Sequence, residues 1–424
     1  MNQPSKDSIE TGSTAASSSR PKLSLLDATC IMVGIIIGAS IYESSPLIAR
    51  GAANGMLGLV DSLRGSSAAP LPDATRELLG TIGVIGAWAI GGLVALIGAV
   101  CYAELSTAIP HQGGNYYFLK QAFGPRTGFA FAWVEFWIIR PGNVGAVAFV
   151  FANYAAQLAA PVSPWLSKPL GQMILAAAAI VVLTGVNLAG IRTGVWTQNI
   201  LTASKVLGLL AIMAIAVLLL GREQQSPPPL LSASQPGFGL ALILVMFAYG
   251  GWSDMSYVAA DVRDPERNIS RSLLVGAATV TTIYVLLNLA FIGALSLPGL
   301  IASDAVAADV LSLRLGNLGV VAISLLICIS TLGAINGMLF AGSRVFYALG
   351  KEDAAFAWLG AWNDRFGGPV RSLLVQSAAT LGLVITFGMY AKGFNRLVVF
   401  TGPFFWGFLL LIGIGFLILR SRGA

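Results

Sequence analysis

Few residues in this chain could make or break a covalent bond. Its one histidine, His111, has no second imidazole with which to share a metal. No hydrolase triad, phosphate-cradling glycine loop or zinc-ligand spacing is present. Cys30, Cys101 and Cys328 fall in apolar runs and read as small core residues rather than a disulfide framework. The chemistry lies instead in charges placed where charge is expensive. Lys205 sits in TQNILTASKVLGLL, Arg140 in WIIRPGN and Asp254 in YGGWSDM. Ionised groups within membrane-depth apolar runs mark functional sites, and the clustered chemistry that a membrane-embedded enzyme needs is lacking here. No enzymatic activity, metal or cofactor is expected.

A second feature is a pair of interruptions. VGIIIGASIYESSP carries Gly34 and Gly38, and FAYGGWSD carries Gly250 and Gly251 followed by Ser253 and Asp254. A GxxxG spacing such as Gly34–Gly38 ordinarily means close helix packing. The rival is a helix unwound near residues 37–41, and the second interruption favours it. Paired breaks in the first helix of each half point to an inverted-repeat transporter, because irregular backbone at membrane depth must face protein or a cavity. Free N–H groups over Gly38, Ala39, Ser40 and Ile41 would favour a carboxylate. Spare carbonyls at Ile37, Phe247 and Tyr249 would suit an ammonium. The pair describes an α-amino acid held by backbone, with Gly250 and Gly251 leaving room for its side chain and Ser253 beside them.

The elements that must position these groups are apolar helices. Of 424 residues, 56% are hydrophobic and 10% charged, where a soluble chain carries about a quarter charged. Hydropathy places ten spans near 24–49, 81–109, 126–152, 171–190, 195–220, 238–260, 271–297, 316–349, 371–390 and 396–419. The expected division is a disordered tail over 1–22, a first repeat over 23–220, a linker over 221–237 and a second repeat over 238–424. The tail lacks the apolar core of a signal peptide. The segment from Arg50 to Gly80 reads as flexible padding, or less readily a partial lid. Net charge is +6, but the basic residues lie mainly between apolar runs, so they set orientation rather than bind nucleic acid. They favour cytoplasmic termini in a multi-pass protein of the cytoplasmic membrane.

These motifs resemble the L-type amino-acid transporter branch of the amino acid–polyamine–organocation superfamily. They are GIIIGASIY, GAVCYAELSTAIPHQGGNYYFL, EFWIIRPGN, FAYGGW with YVAADVRDPERNI, and STLGAINGMLFAGSRVFYALGKE. The resemblance implies an all-α membrane protein, a five-plus-five inverted repeat like LeuT with discontinuous helices 1 and 6. It implies that Lys205 takes the place of a sodium ion, tying the first span to the fifth and to Ser330 and Thr331 of the eighth. Transport is then sodium-independent. Arg140 reads as paired with a carbonyl freed at Pro141, Asp254 as a cap on the second half of span 6, and Glu104 as a packing or gating acid. Phe247 and Trp406 are candidates for an aromatic gate and pocket wall, and the loop DVRDPERNISR for gating ion pairs. Many relatives carry Gly-Ser-Gly where this chain has Gly38-Ala39-Ser40, which narrows the cradle. Relatives also continue into two further helices beyond FLILRSRGA, outside the ten-helix core. No extracellular cysteine follows span 3, so a disulfide-linked heavy subunit is not expected; a homo-oligomer stays open.

The function expected is exchange or facilitated transport of neutral L-α-amino acids. Two alternatives stand beside it. One is a proton-coupled permease for cationic amino acids or polyamines, although a polyamine lacks the carboxylate that the cradle awaits. The other is a non-transporting amino-acid sensor or a truncated remnant.

Overall fold

The computed structural model describes residues 23–65, 69–109, 111, 113–220, 237–389 and 393–422. The tail expected over 1–22, and the linker apart from residue 237, lie outside them. Ten helices among the described residues are long and apolar enough to cross a membrane: Leu25–Glu43, Asp73–Ala108, Pro125–Ala159, Pro169–Leu188, Ile191–Val217, Phe238–Asp261, Pro265–Ala302, Asn317–Glu352, Val370–Gly388 and Arg396–Ser421. Each overlaps an expected span, and several run longer. Spans 2 and 7 pack along one another, and span 8 touches spans 1, 3, 5 and 9. Two short helices were not expected. Asn115–Phe123 follows span 2 and Val306–Leu315 follows span 7, corresponding places in the two halves.

The segment after the first break corrects a sequence expectation. Ser45–Arg64 is a helix with Pro46 in its first turn, where proline costs no hydrogen bond. Residues expected as padding continue span 1. Small residues explain this: Ala49, Ala52 and Ala53 are fully buried. A Cβ on Gly83 of span 2 would come within 2.7 Å of the Ala52 carbonyl, so the two backbones touch.

Span 3 holds a second irregularity. Glu135–Ile139 forms a π-helical turn, with the Arg140 amide donating to the Glu135 carbonyl. On an α-helix, residues five apart point about 140° away from each other (steps of about 100°). The wider turn brings them to one face.

The end of the bundle bearing residue 23 is closed. The Leu23 amide donates to the Asp261 carbonyl at 2.7 Å, and the Arg263 amide to the Leu23 carbonyl at 2.9 Å. Arg344 Nε of span 8 meets Asp261 at 3.0 Å, both side chains nearly buried. Lys120 pairs with Glu352 nearby. Of the DVRDPERNISR loop, Asp261 is thus the member that enters a buried ion pair.

Candidate functional site

The first span stops as a helix at Ile36 and resumes at Ser40. Ser44 keeps helical dihedrals, so Ser40–Glu43 runs almost directly into Ser45–Arg64. The two glycines of the GxxxG spacing have separate jobs. A Cβ at Gly34 would run into Gln198 and Thr202 of span 5, whereas one at Gly38 would meet nothing within 4 Å. Gly34 serves packing and Gly38 faces open space. Span 6 is helical over Phe238–Ala248, turns through Gly251 at φ 111°, and continues as a 3-10 helix over Trp252–Asp261. That φ favours glycine. A Cβ there would also stand 2.8 Å from Ile35 Cγ2, so Gly251 makes room for span 1 rather than for a ligand side chain.

Between the two breaks and spans 3 and 10 lies a cavity of about 240 Å³. Gly38, Ala39, Ser40, Phe247, Gly250, Gly251, Ser253, Arg140, Asp254 and Trp406 all contribute to its wall. The amides of Ala39, Ser40 and Ile41 take no part in hydrogen bonds among the described residues, while the Gly38 amide donates to the Ile36 carbonyl at 2.8 Å. Two donors at the start of the helix after the break, those of Ala39 and Ser40, are therefore available to the cavity, and Gly38 is not one of them. Ile41 is fully buried off the cavity.

The carbonyl side departs further from expectation. The Ile37 carbonyl accepts from Lys205 Nζ at 2.8 Å and from the Ser330 hydroxyl at 3.0 Å, which uses both its lone pairs. The Tyr284 hydroxyl of span 7 lies 3.2 Å from the Ile36 carbonyl and 3.3 Å from that of Ala248. The ring of Tyr249 turns away into a cluster with Trp88 and Tyr284, its hydroxyl donating to the Trp88 carbonyl at 3.0 Å. Most helix-end carbonyls thus have partners inside the protein. The Ile35 carbonyl accepts no hydrogen bond among the described residues, and Ile35 lines the cavity. The sequence did not single it out, because the missing partner is the Ala39 amide four residues on, and only the break's exact position removes it.

Lys205 is fully buried. Its Nζ donates to the carbonyls of Gly34 and Ile37, both at 2.8 Å, and of Ser330 at 2.9 Å. It joins spans 1, 5 and 8 as expected of a tie. Thr331 is not part of it: its hydroxyl bonds back to Ile327 and Cys328 of its own helix, the usual habit of a threonine within a helix. A Cβ on Gly333 would come within 3.0 Å of Nζ, so that glycine clears the lysine's channel.

Arg140 and Asp254 are each corrected by the same contact. Arg140 donates from Nη1 and Nη2 to the two oxygens of Asp254 at 3.0 and 2.8 Å. It donates also to Oε1 of Glu135 from Nε at 2.9 Å, with Nη2 in ion-pair contact with the same oxygen at 2.7 Å. The guanidinium prefers this planar two-point pairing to a lone carbonyl. Asp254 caps nothing, and the 3-10 segment has no side-chain cap. Glu104 sits on the surface, half-exposed and 3.9 Å from Arg420, too far out to gate the cavity. Trp406 stands against Phe405 in the wall, and Phe247 is half-exposed. Glu43, Glu135 and Asn115 also line the cavity. A charge in the apolar run EFWIIR was a visible signal for Glu135, but its pairing with Arg140 depends on the π-turn.

A family model described as amino acid permease matches residues 23–423. The chain belongs to the amino acid permease family. Among its relatives, the large neutral amino acids transporter small subunit 2 of Oryctolagus cuniculus is 31% identical over 380 residues, which are 88% of this chain and 65% of that protein. The Asc-type amino acid transporter 1 of Mus musculus is 28% identical over 412 residues, 95% of this chain and 71% of that protein. The chain thus spans slightly less than two thirds of the length of the first of these. Its fold is that of solved LeuT-fold transporters. MhsT in complex with L-phenylalanine aligns with TM-score 0.52 at 16% identity over 94% of this chain and 89% of its own. A nucleobase-cation-symport-1 family transporter in a closed conformation aligns at 0.58 and 12% identity, over 95% and 80%.

Proposed function

We infer that the protein moves neutral α-amino acids across a membrane by alternating access, without sodium. The observation that carries this is the pair of unpartnered amides at Ala39 and Ser40, opening the second helix of span 1 onto the cavity wall. Free N–H groups at a helix start form an anion site, and two of them suit the two oxygens of a carboxylate. The Ile35 carbonyl opposite is the acceptor for the α-ammonium, with Phe247 and Gly250 beside it. The cavity of about 240 Å³ suits a single small zwitterion. Lys205, with its three carbonyl partners, puts an amine where a bound cation would otherwise satisfy the same oxygens. The relatives named as neutral amino-acid transporters support the substrate class. Cytoplasmic termini follow from the distribution of basic residues, which places the closed end inside.

The test is uptake of radiolabelled leucine by proteoliposomes in sodium-free buffer, with competitors. Free neutral amino acids are expected to compete, and their methyl esters and the corresponding amines to compete poorly. Equal competition by the esters would remove the carboxylate site and this reading with it.

A further inference from the structure

The cavity wall holds one guanidinium against two carboxylates in direct contact: Arg140 with Glu135 and Asp254. All three residues are buried, at 3%, 1% and 7% exposure, so the cluster carries one negative charge too many at membrane depth. Isolated charge there is costly and is neutralised by pairing or by a proton. The geometry distinguishes the two acids. Asp254 spends both oxygens on Arg140. Glu135 receives both its guanidinium contacts on Oε1, and its Oε2 has no hydrogen bond among the described residues. Glu135 itself forms part of the cavity wall.

A second polar group lies at the same place. Asn115 gives its Nδ2 to the Tyr257 hydroxyl at 2.8 Å, and its Oδ1 is buried with no partner. Asn115 lines the cavity and is 4% exposed, with the buried Tyr102 hydroxyl beside it. Tyr257, whose ring lies 5.1 Å from the Arg140 guanidinium, spans from the cluster to Asn115. Asn115 opens the short helix on the closed end of the bundle, where the Gly113 amide donates to the Tyr257 carbonyl. The charged and titratable groups around Glu135 are Arg140, Asp254, Tyr257 and Tyr102. The cavity-facing parts of span 10, from Thr401 to Ile412, add none. Glu43, the remaining acid of the wall, faces Tyr154 instead.

We propose that Glu135 carries an exchangeable proton on Oε2 inside the substrate cavity, so that movement of the amino acid is linked to movement of a proton. The proton comes from water on the side to which the cavity is open. It leaves to water on the other side once the closed end, with Asn115 and Tyr257, opens. Arg140 and Asp254, which hold one another through two hydrogen bonds, act as positioning residues. This rests on the transport reading above, and the test separates the two.

The full chain is first studied in nanodiscs by infrared difference spectroscopy across neutral pH, without substrate. A protonated-carboxyl C=O stretch is expected in the wild type, lost in Glu135→Gln and kept in Glu43→Gln. Glu135→Asp, which retains an acid, should keep the band. In proteoliposomes with the potential clamped by potassium and valinomycin, an inward gradient of one pH unit should concentrate leucine. The limit is about tenfold at one proton per substrate. In Glu135→Gln the ratio with and without gradient should fall to one, whatever the absolute rate, and Glu135→Asp should restore it. Absence of the band, or its loss only with Glu43→Gln, overturns the proposal. A correct band with leucine flux indifferent to the gradient overturns the coupling. A correct band with no amino-acid flux under any condition upholds the proton site and overturns the transport reading.

Discussion

Replacing Lys205 by methionine keeps most of the side chain's volume and removes the three hydrogen bonds that hold the broken first span to spans 5 and 8. The carbonyls do not suffer equally. That of Ile37 retains the Ser330 hydroxyl at 3.0 Å, and that of Ser330, inside the helix of span 8, keeps its place in the helical ladder, whereas that of Gly34 loses its Lys205 partner at 2.8 Å. An orphaned buried acceptor costs about 1–3 kcal/mol. Removing a buried charge also relieves its desolvation, so the thermal midpoint of the whole molecule should move less than this cost implies. The cost falls on the one conformation in which the break is docked. If that conformation binds substrate, the sodium-free leucine uptake of Lys205→Met should fall by at least tenfold while expression and monodispersity persist. Uptake within a factor of two of wild type would refute the argument that the lysine fixes the break.

Two more substitutions probe different parts of the site. Gly38→Val places its branched side chain in open space; the protein should fold with an unchanged thermal midpoint and lose amino-acid binding by calorimetry. Asp261→Asn removes the carboxylate from a buried pair with Arg344, and truncating one partner of such a pair typically destabilises by about 3–5 kcal/mol. Cysteine-accessibility labelling near Leu23 should therefore rise at the normally closed end.

Much of the site was legible because its signals are violations of a strong rule. Glycine pairs in the middle of apolar runs, and a lysine at membrane depth, have few harmless explanations, and the structure puts both breaks and Lys205 in one region. What the sequence missed depends on register. Whether a helix stops at Ile36 or Ile37 decides which carbonyl is free, and hydropathy cannot resolve one residue. The partners of Arg140 were hidden for a similar reason. Glu135 and Arg140 share a face only because the turn between them is wider than α, and Asp254 arrives from a span 114 residues away. The part of the Ser45–Arg64 helix from Arg50 onward was read as padding because alanine and glycine look weak in hydropathy, although they are what lets the backbone of span 2 come close.

The Tyr284 hydroxyl has consequences for how the molecule rocks. One hydrogen serves two acceptors, the terminal carbonyls of the first helix of each half. The two oxygens depend on it unequally: that of Ile36 also accepts from the Gly38 amide at 2.8 Å, so losing Tyr284 would leave only that of Ala248 bare, at about 1–3 kcal/mol. The cheapest path through the cycle therefore keeps the hinge of span 6 on span 7 and lets span 1 part from it.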